Sequence, residues 1–146
     1  MPVRMELSRI LIREQNDYQI IELREVAPDT DDGPAQMESG RKFPIVIGLP
    51  EAQAIERRLK GISIKRPQTH DLLAGVISTL GAKLESITIT DLAEHTFFAS
   101  LDVRKADGVL INIDCRPSDA IALGIGQDVP IFVAEHVLDG ATQDEG

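Results

Sequence analysis

Residues 84–113 read LESITITDLAEHTFFASLDVRKADGVLINI, three apolar–polar alternations separated by turn-forming residues. In the first, Ile87 and Ile89 fall on one side and Ser86, Thr88 and Thr90 on the other. In the second, Phe97, Ala99, Leu101 and Val103 share a side, and in the third Val109, Ile111 and Ile113 do. A period of two is that of a strand with one face buried. Asp107-Gly108 is a strong hairpin signal, and His95, following Asp91 and Glu94, reads as a solvated residue of the other turn. The stretch predicts an antiparallel meander with helices packed on one face.

The same reading extends to both sides. Upstream, residues 3–12 form a strand of irregular alternation, Val3, Met5 and Leu7 followed by Ile10-Leu11-Ile12. Asn16-Asp17 supplies a turn into a second strand from Tyr18 to Val26. Residues 27–40, with two Pro, two Gly and four acids, make an acidic loop. Residues 41–48 return as a strand with Ile45 and Ile47 on one face. Pro50 and Glu51 open a helix over 50–60, with Leu49, Ala52, Ile55 and Leu59 as its apolar stripe and Gly61 as its stop. A further helix runs from Thr69 to Gly81 on the stripe Leu72, Leu73, Val76, Ile77 and Leu80. Downstream, the run Ala120–Ile125 is apolar all round and reads as a buried helix. A short strand at 130–133 and a helical turn at 135–139 follow, with His136 on the surface. Without regular strand–helix alternation, this order predicts an α+β fold: a mostly antiparallel sheet with three or four helices packed on it. It is expected as one compact domain over 1–140, ending in a short flexible tail at 141–146.

Composition narrows the function classes. The chain has 146 residues and a net charge of −9, unevenly spread. Residues 1–40 hold four Lys/Arg against nine Asp/Glu, residues 41–116 eleven against nine, and residues 117–146 none against six. The middle carries a basic cluster, Arg57, Arg58, Lys60, Lys65 and Arg66, readable as a solvated helix end or as a landing patch for phosphate. Aromatics are 3% with no Trp, poor material for stacking bases. No run of 18 apolar residues suggests a membrane span, and the N-terminus lacks the pattern of a signal peptide. A lone cysteine, Cys115, fits a reducing cytoplasm. Neither zinc spacing nor a Gly-rich phosphate loop is present in the sequence.

The phrases RPQTHDLL (66–73) and RPSDAIAL (116–123) share a plan: Arg-Pro, a hydroxyl and an Asp, then an apolar run. Proline biases the residue before it away from helix, so Arg66 and Arg116 are expected to be extended. Thr69 and Ser118 are the natural N-caps, and Asp71 and Asp119 suit the positive end of a helix. Neither phrase completes a capping box, because Leu72 and Ile121 occupy the reciprocal positions. Capping leaves Arg66, Arg116 and His70 unexplained. Guanidinium groups and helix N-termini bind phosphate, carboxylates can hold a divalent cation such as Mg²⁺ or Mn²⁺, and histidine acts as acid, base or ligand near neutral pH. If the fold joins the phrases, they have the parts of a metal-assisted phosphodiesterase, with the metal's identity open. If it does not, they are structural.

Together with FPIVIGLPEAQAI (43–55), ITDLAEHTFFASL (89–101), DCRPSDAIALG (114–124) and PIFVAEHVL (130–138), the two phrases resemble the bifunctional nuclease family, in order and over nearly the whole chain. The resemblance implies a compact α+β homo-oligomer that hydrolyses phosphodiester bonds of RNA, DNA or both. Carried over position by position, it implies His70, Asp71 and Asp119 as candidate catalytic residues. Arg66, Thr69, Arg116 and Ser118 become candidate substrate-binding residues. The alternative is a non-catalytic regulatory module in which the two Arg-Pro motifs form a pocket for an anion or a partner.

Overall fold

The expected meander is present as β4 (Lys83–Ala93), β5 (Thr96–Arg104) and β6 (Leu110–Cys115), paired antiparallel in that order. The structure, a computed structural model, describes residues 2–13, 15, 18–26, 40–62 and 65–143. The turn expected at Asn16-Asp17 and the acidic loop up to residue 39 lie outside the described residues. Ala93 pairs with Thr96, so Glu94 and His95 form a two-residue hairpin turn, both at positive φ (51° and 63°). That is the backbone handedness such a turn requires. Leu84, Ile87, Ile89, Ala99, Leu101 and Val103 are buried as the alternation predicts. On β6 the prediction fails: Val109 and Ile113 are exposed, because β6 is the sheet edge.

The remaining strands are β1 (Val3–Leu11), β2 (Gln19–Glu25), β3 (Lys42–Ile47) and β7 (Ile131–Val133). All seven join one sheet in the order β3-β2-β1-β7-β4-β5-β6, and only the β4–β7 pair is parallel. The irregular alternation of β1 has a local cause. Leu7 pairs with Leu23 and Arg9 with Glu22, so Ser8 is an extra residue. This bulge shifts the phase by one, and Leu7 and Ile10 both end opposite inward-facing partners, Leu23 and Ile21.

Four helices cover the apolar face: α1 (Leu49–Lys60), α2 (Thr69–Thr79), α3 (Pro117–Gln127) and α4 (Glu135–Gln143). The fold is thus the α+β class expected. Gly61 at φ +62° ends α1, and the Ile62 N–H returns to Arg57 O at 3.1 Å. Ala54 replaces the exposed Leu59 in the buried stripe of α1. On α2 the core takes only Leu73, Ala74 and Ile77, and Leu72, Val76 and Leu80 stay exposed. Helix α4 is longer than the turn expected at 135–139, since Val137 and Leu138 are fully buried and Ala141 packs on the core. No described helix is long and apolar enough to cross a membrane.

The sheet is strongly curled. Phe43 on β3 stacks on Phe97 on β5, with ring centroids 5.5 Å apart. Those strands are five steps apart in the sheet order, which in a flat sheet would separate them by roughly 24 Å. Curling brings the free edge of β3 towards the β4–β5 hairpin and leaves a cleft between them.

On the opposite face of the meander, Ser100 and Asp102 are buried, against the alternation. Asp102 accepts hydrogen bonds from Ser86 and Thr88 (both 2.7 Å), Ser100 (2.9 Å) and Asn112 (2.8 Å). Small polar side chains crowd the carboxylate and shield it. Removing the carboxylate strands four donors. Asp102→Ala is expected to lower the unfolding free energy by about 3 kcal/mol, read by urea denaturation; a loss within experimental error would show that the cluster is merely solvated.

Candidate active site

The two Arg-Pro phrases start helices in different ways, and neither uses its hydroxyl as the cap. In α3, Pro117 occupies the first helical position and Arg116 is the N-cap, in extended backbone (φ −75°, ψ 149°). Proline's fixed φ suits that position, so the helix begins before Ser118 can cap it. In α2, Pro67 lies outside the helix, Gln68 is the extended N-cap, and Thr69 is already helical. Asp71 then sits three residues after the cap and accepts the Gln68 N–H at 3.1 Å while the Gln68 side chain takes the Asp71 N–H, a capping box that corrects the expectation of none in this phrase. The N-caps expected at Thr69 and Ser118 are therefore corrected to Gln68 and Arg116.

The phrases meet. His70 Nε2 lies 3.1 Å from Asp119 Oδ1, although the residues are 49 apart in sequence. Asp119 is held from its other side by Arg116, whose Nε and Nη2 donate to Oδ2 (2.8 Å) and Oδ1 (3.0 Å). Arg116 Nη1 donates to Glu51 at 3.0 Å. The result is a chain, Glu51–Arg116–Asp119–His70, in which each group orients the next. Burial pushes the Asp119 carboxyl up, but the hydrogen bonds and charges of Arg116 and His70 outweigh it, and its pKa is lowered. The Arg116 guanidinium is correspondingly raised, first by its hydrogen bond to Asp119.

A second pair fixes α1 against α2. Arg58 donates to Asp71 and is largely buried. It reaches Asp71 across Gly126 of α3, where any Cβ would collide with the guanidinium. Arg58 is thus removed from the basic patch in which sequence reading placed it. Lys60 pairs with Glu56. Arg57 and Arg66 make no ion pair among the described residues, Arg66 being exposed and Arg57 half-buried.

His70, Thr69, Asp119, Arg116, Glu51 and Arg57 line a cleft of about 380 Å³. Asp71 points instead to Arg58, and Ser118 lines a neighbouring cleft across the Glu51–Arg116 wall. Arg66 lines neither of these two clefts. The donor set does not fit a divalent cation. Both Asp119 oxygens are engaged by Arg116 and His70, and both Asp71 oxygens by Arg58 and the Gln68 N–H. No group of three or more His, Cys, Asp or Glu among the described residues could hold one. Cys115 is no nucleophile: burial, then Asp119, Asp114 and Asp102, push its thiol to about 12.

Sequence reading missed Glu51 and Arg58, which it assigned to helix-end electrostatics. The available signal was their spacing. Residues 51, 55 and 58 fall on one side of α1, and the middle one, Ile55, is fully buried.

Comparison with known proteins places the chain in a family. The family model for the bifunctional nuclease domain matches residues 35–145. An uncharacterized Mycobacterium tuberculosis (strain H37Rv) protein is 42% identical over 98 residues, covering 67% of this chain and 57% of its own length. Bifunctional nuclease 1 of Oryza sativa subsp. indica is 25% identical over 127 residues, covering 84% of this chain and 38% of its own. Bifunctional nuclease 1 of Arabidopsis thaliana is 24% identical over 101 residues, covering 68% and 31%. The chain therefore spans little more than half of the first relative and about a third of the plant proteins.

Two measurements check the site's construction. Breaking a buried pair on one side leaves a charge unpaired, so Arg58→Ala and Asp71→Ala should each cost on the order of 3 kcal/mol of stability. The double change Arg58→Met, Asp71→Leu should recover most of it; additive losses would deny the pair. The second measurement is pH dependence. Because Asp119 has a lowered folded pKa, its stabilising contribution is complete above its unfolded value of about 3.9 and is lost as pH falls through the folded value. The stability gap between wild type and Asp119→Asn should shrink as pH falls below about pH 4. A gap that widens there contradicts the assignment.

Proposed function

The chain belongs to the bifunctional nuclease domain family, and from that premise we propose that it hydrolyses phosphodiester bonds of RNA, DNA or both, with His70 and Asp119 as the working pair. The observation that carries the reading is the direct contact between the two phrases, His70 Nε2 to Asp119 Oδ1 at 3.1 Å, in the wall of an open cleft. With Nε2–H donating to Asp119, Nδ1 is the ring nitrogen left to act as base, and the carboxylate orients it. Nδ1 takes a proton from the attacking water as its oxygen bonds to phosphorus. The bond from phosphorus to the leaving oxygen breaks, and the proton passes to that oxygen. Arg57, which lines the cleft, supplies the positive charge that offsets the phosphate, because Arg116 is committed to carboxylates. Asp71 acts through Arg58 as a positioning residue for α2. A cytoplasmic setting and a homo-oligomeric state belong to the same proposal and rest on the lone cysteine and the family resemblance.

No step is routed through a cation. The assay is cleavage of single- and double-stranded RNA and DNA in Mg²⁺, in Mn²⁺ and in EDTA. His70→Ala and Asp119→Asn should each reduce cleavage by about 10² or more while leaving the fold intact by circular dichroism. Cleavage should survive EDTA, since no group of three or more His, Cys, Asp or Glu among the described residues is placed to hold an ion. Activity equal in wild type and both variants would reveal a contaminant. Nucleic-acid binding without cleavage would favour the non-catalytic module.

A further inference from the structure

The cleft on the far side of the Glu51–Arg116 wall has a volume of about 490 Å³ and lies between the free edge of β3, the Glu94-His95 turn and the N-terminus of α3. We propose that it holds one nucleotide unit, its phosphate on the start of α3 at Ser118 and its base against Tyr18. The proposal rests on the nuclease reading and says where the substrate extends beyond the His70–Asp119 pair.

Three observations carry it. First, Ser118 is only 5% exposed, lines the cleft, and has no hydrogen-bond partner among the described residues. The hydroxyl is not sealed in the core; the little of Ser118 that stays uncovered opens on the cleft, where it can meet a ligand. The cap shift accounts for this. With Pro117 at the first helical position, Ser118 is released from capping, and its hydroxyl and N–H are both left at the helix start. Second, α3 is an eleven-residue helix with no side-chain cap, so its first N–H groups carry the partial positive charge that favours a phosphate. Third, the cleft lining combines polar groups, Arg116, Ser118, His95 and Glu51, with an aromatic wall of Tyr18 and Phe97. Tyr18 is the chain's single tyrosine and is largely exposed. In a protein with 3% aromatics, placing two of them at one cleft supplies the stacking surface that composition seemed to deny. The volume lies within the range of small-ligand clefts.

The test is binding of adenosine 5′-monophosphate and of inorganic phosphate, followed by amide chemical shifts on the intact chain. The monophosphate should perturb Thr96, Phe97, Ser118 and Asp119. Ser118→Ala should weaken both probes by about tenfold, and Tyr18→Ala should weaken the monophosphate while leaving phosphate unchanged. His70→Ala should retain monophosphate binding while losing cleavage. Monophosphate binding that is absent, maps elsewhere or ignores Ser118→Ala overturns the cleft. The outcomes separate the two readings. Cleavage without binding in this cleft removes the nucleotide subsite alone, and binding in the cleft without cleavage removes the nuclease reading alone.

Discussion

Ala120, Ile121, Ala122 and Leu123 are all fully buried, so α3 has no solvent face along its centre and cannot rotate or slide without emptying the core. Apolar contact on every side, from α1, α2, β4 and β5, is the constraint from which the site follows. Gly124 sits so close to Ile87 and Val129 that a Cβ there would meet both at 3.4 Å, and Gly126 gives passage to Arg58. With the helix fixed, the direction and position of its first turn are fixed too. Asp119 and Arg116 are thereby placed within reach of α2 and α1, and His70 meets a carboxylate that cannot retreat.

Electrostatically, the site is largely self-neutralised. Arg116 lies between Glu51 and Asp119, and Arg58 is spent on Asp71. This explains how a chain of net charge −9 lines a cleft with two carboxylates, Glu51 and Asp119, without repelling itself apart. It also means that the cleft arginine making no ion pair among the described residues is Arg57, and not the phrase arginine Arg116. Pairing a base with an oriented carboxylate is a recurrent arrangement in acid–base catalysis, and the arginine here takes the place of the groups that hold such a carboxylate.

Much of the fold was legible because strand alternation and helix stops are local signals. The meander, the β3 face, the stop at Gly61 and the buried α3 were all readable from period and composition. What escaped was set by neighbours. The β1 bulge at Ser8 depends on its pairing with β2, and the burial of Asp102 depends on four donors from three strands. The helix starts were misplaced by one or two residues because a hydroxyl and a proline compete for the same turn. In α3 the proline's fixed φ prevails, and in α2 Asp71 prevails by closing back on Gln68. Glu51 and Arg58 were read through their own helix, where both have sufficient local explanations, and only the packing of α1 on α3 gives them a role. The His70–Asp119 contact spans 49 residues and has no local signature at all.

The central claim is that Asp119 orients the His70 ring. The direct measurement is long-range proton–nitrogen correlation of the neutral His70 imidazole, in wild type and in Asp119→Asn. The account predicts the Nε2–H tautomer in the wild type, with that preference lost in the variant. An Nδ1–H tautomer, or a tautomer balance unaffected by Asp119→Asn, would contradict it.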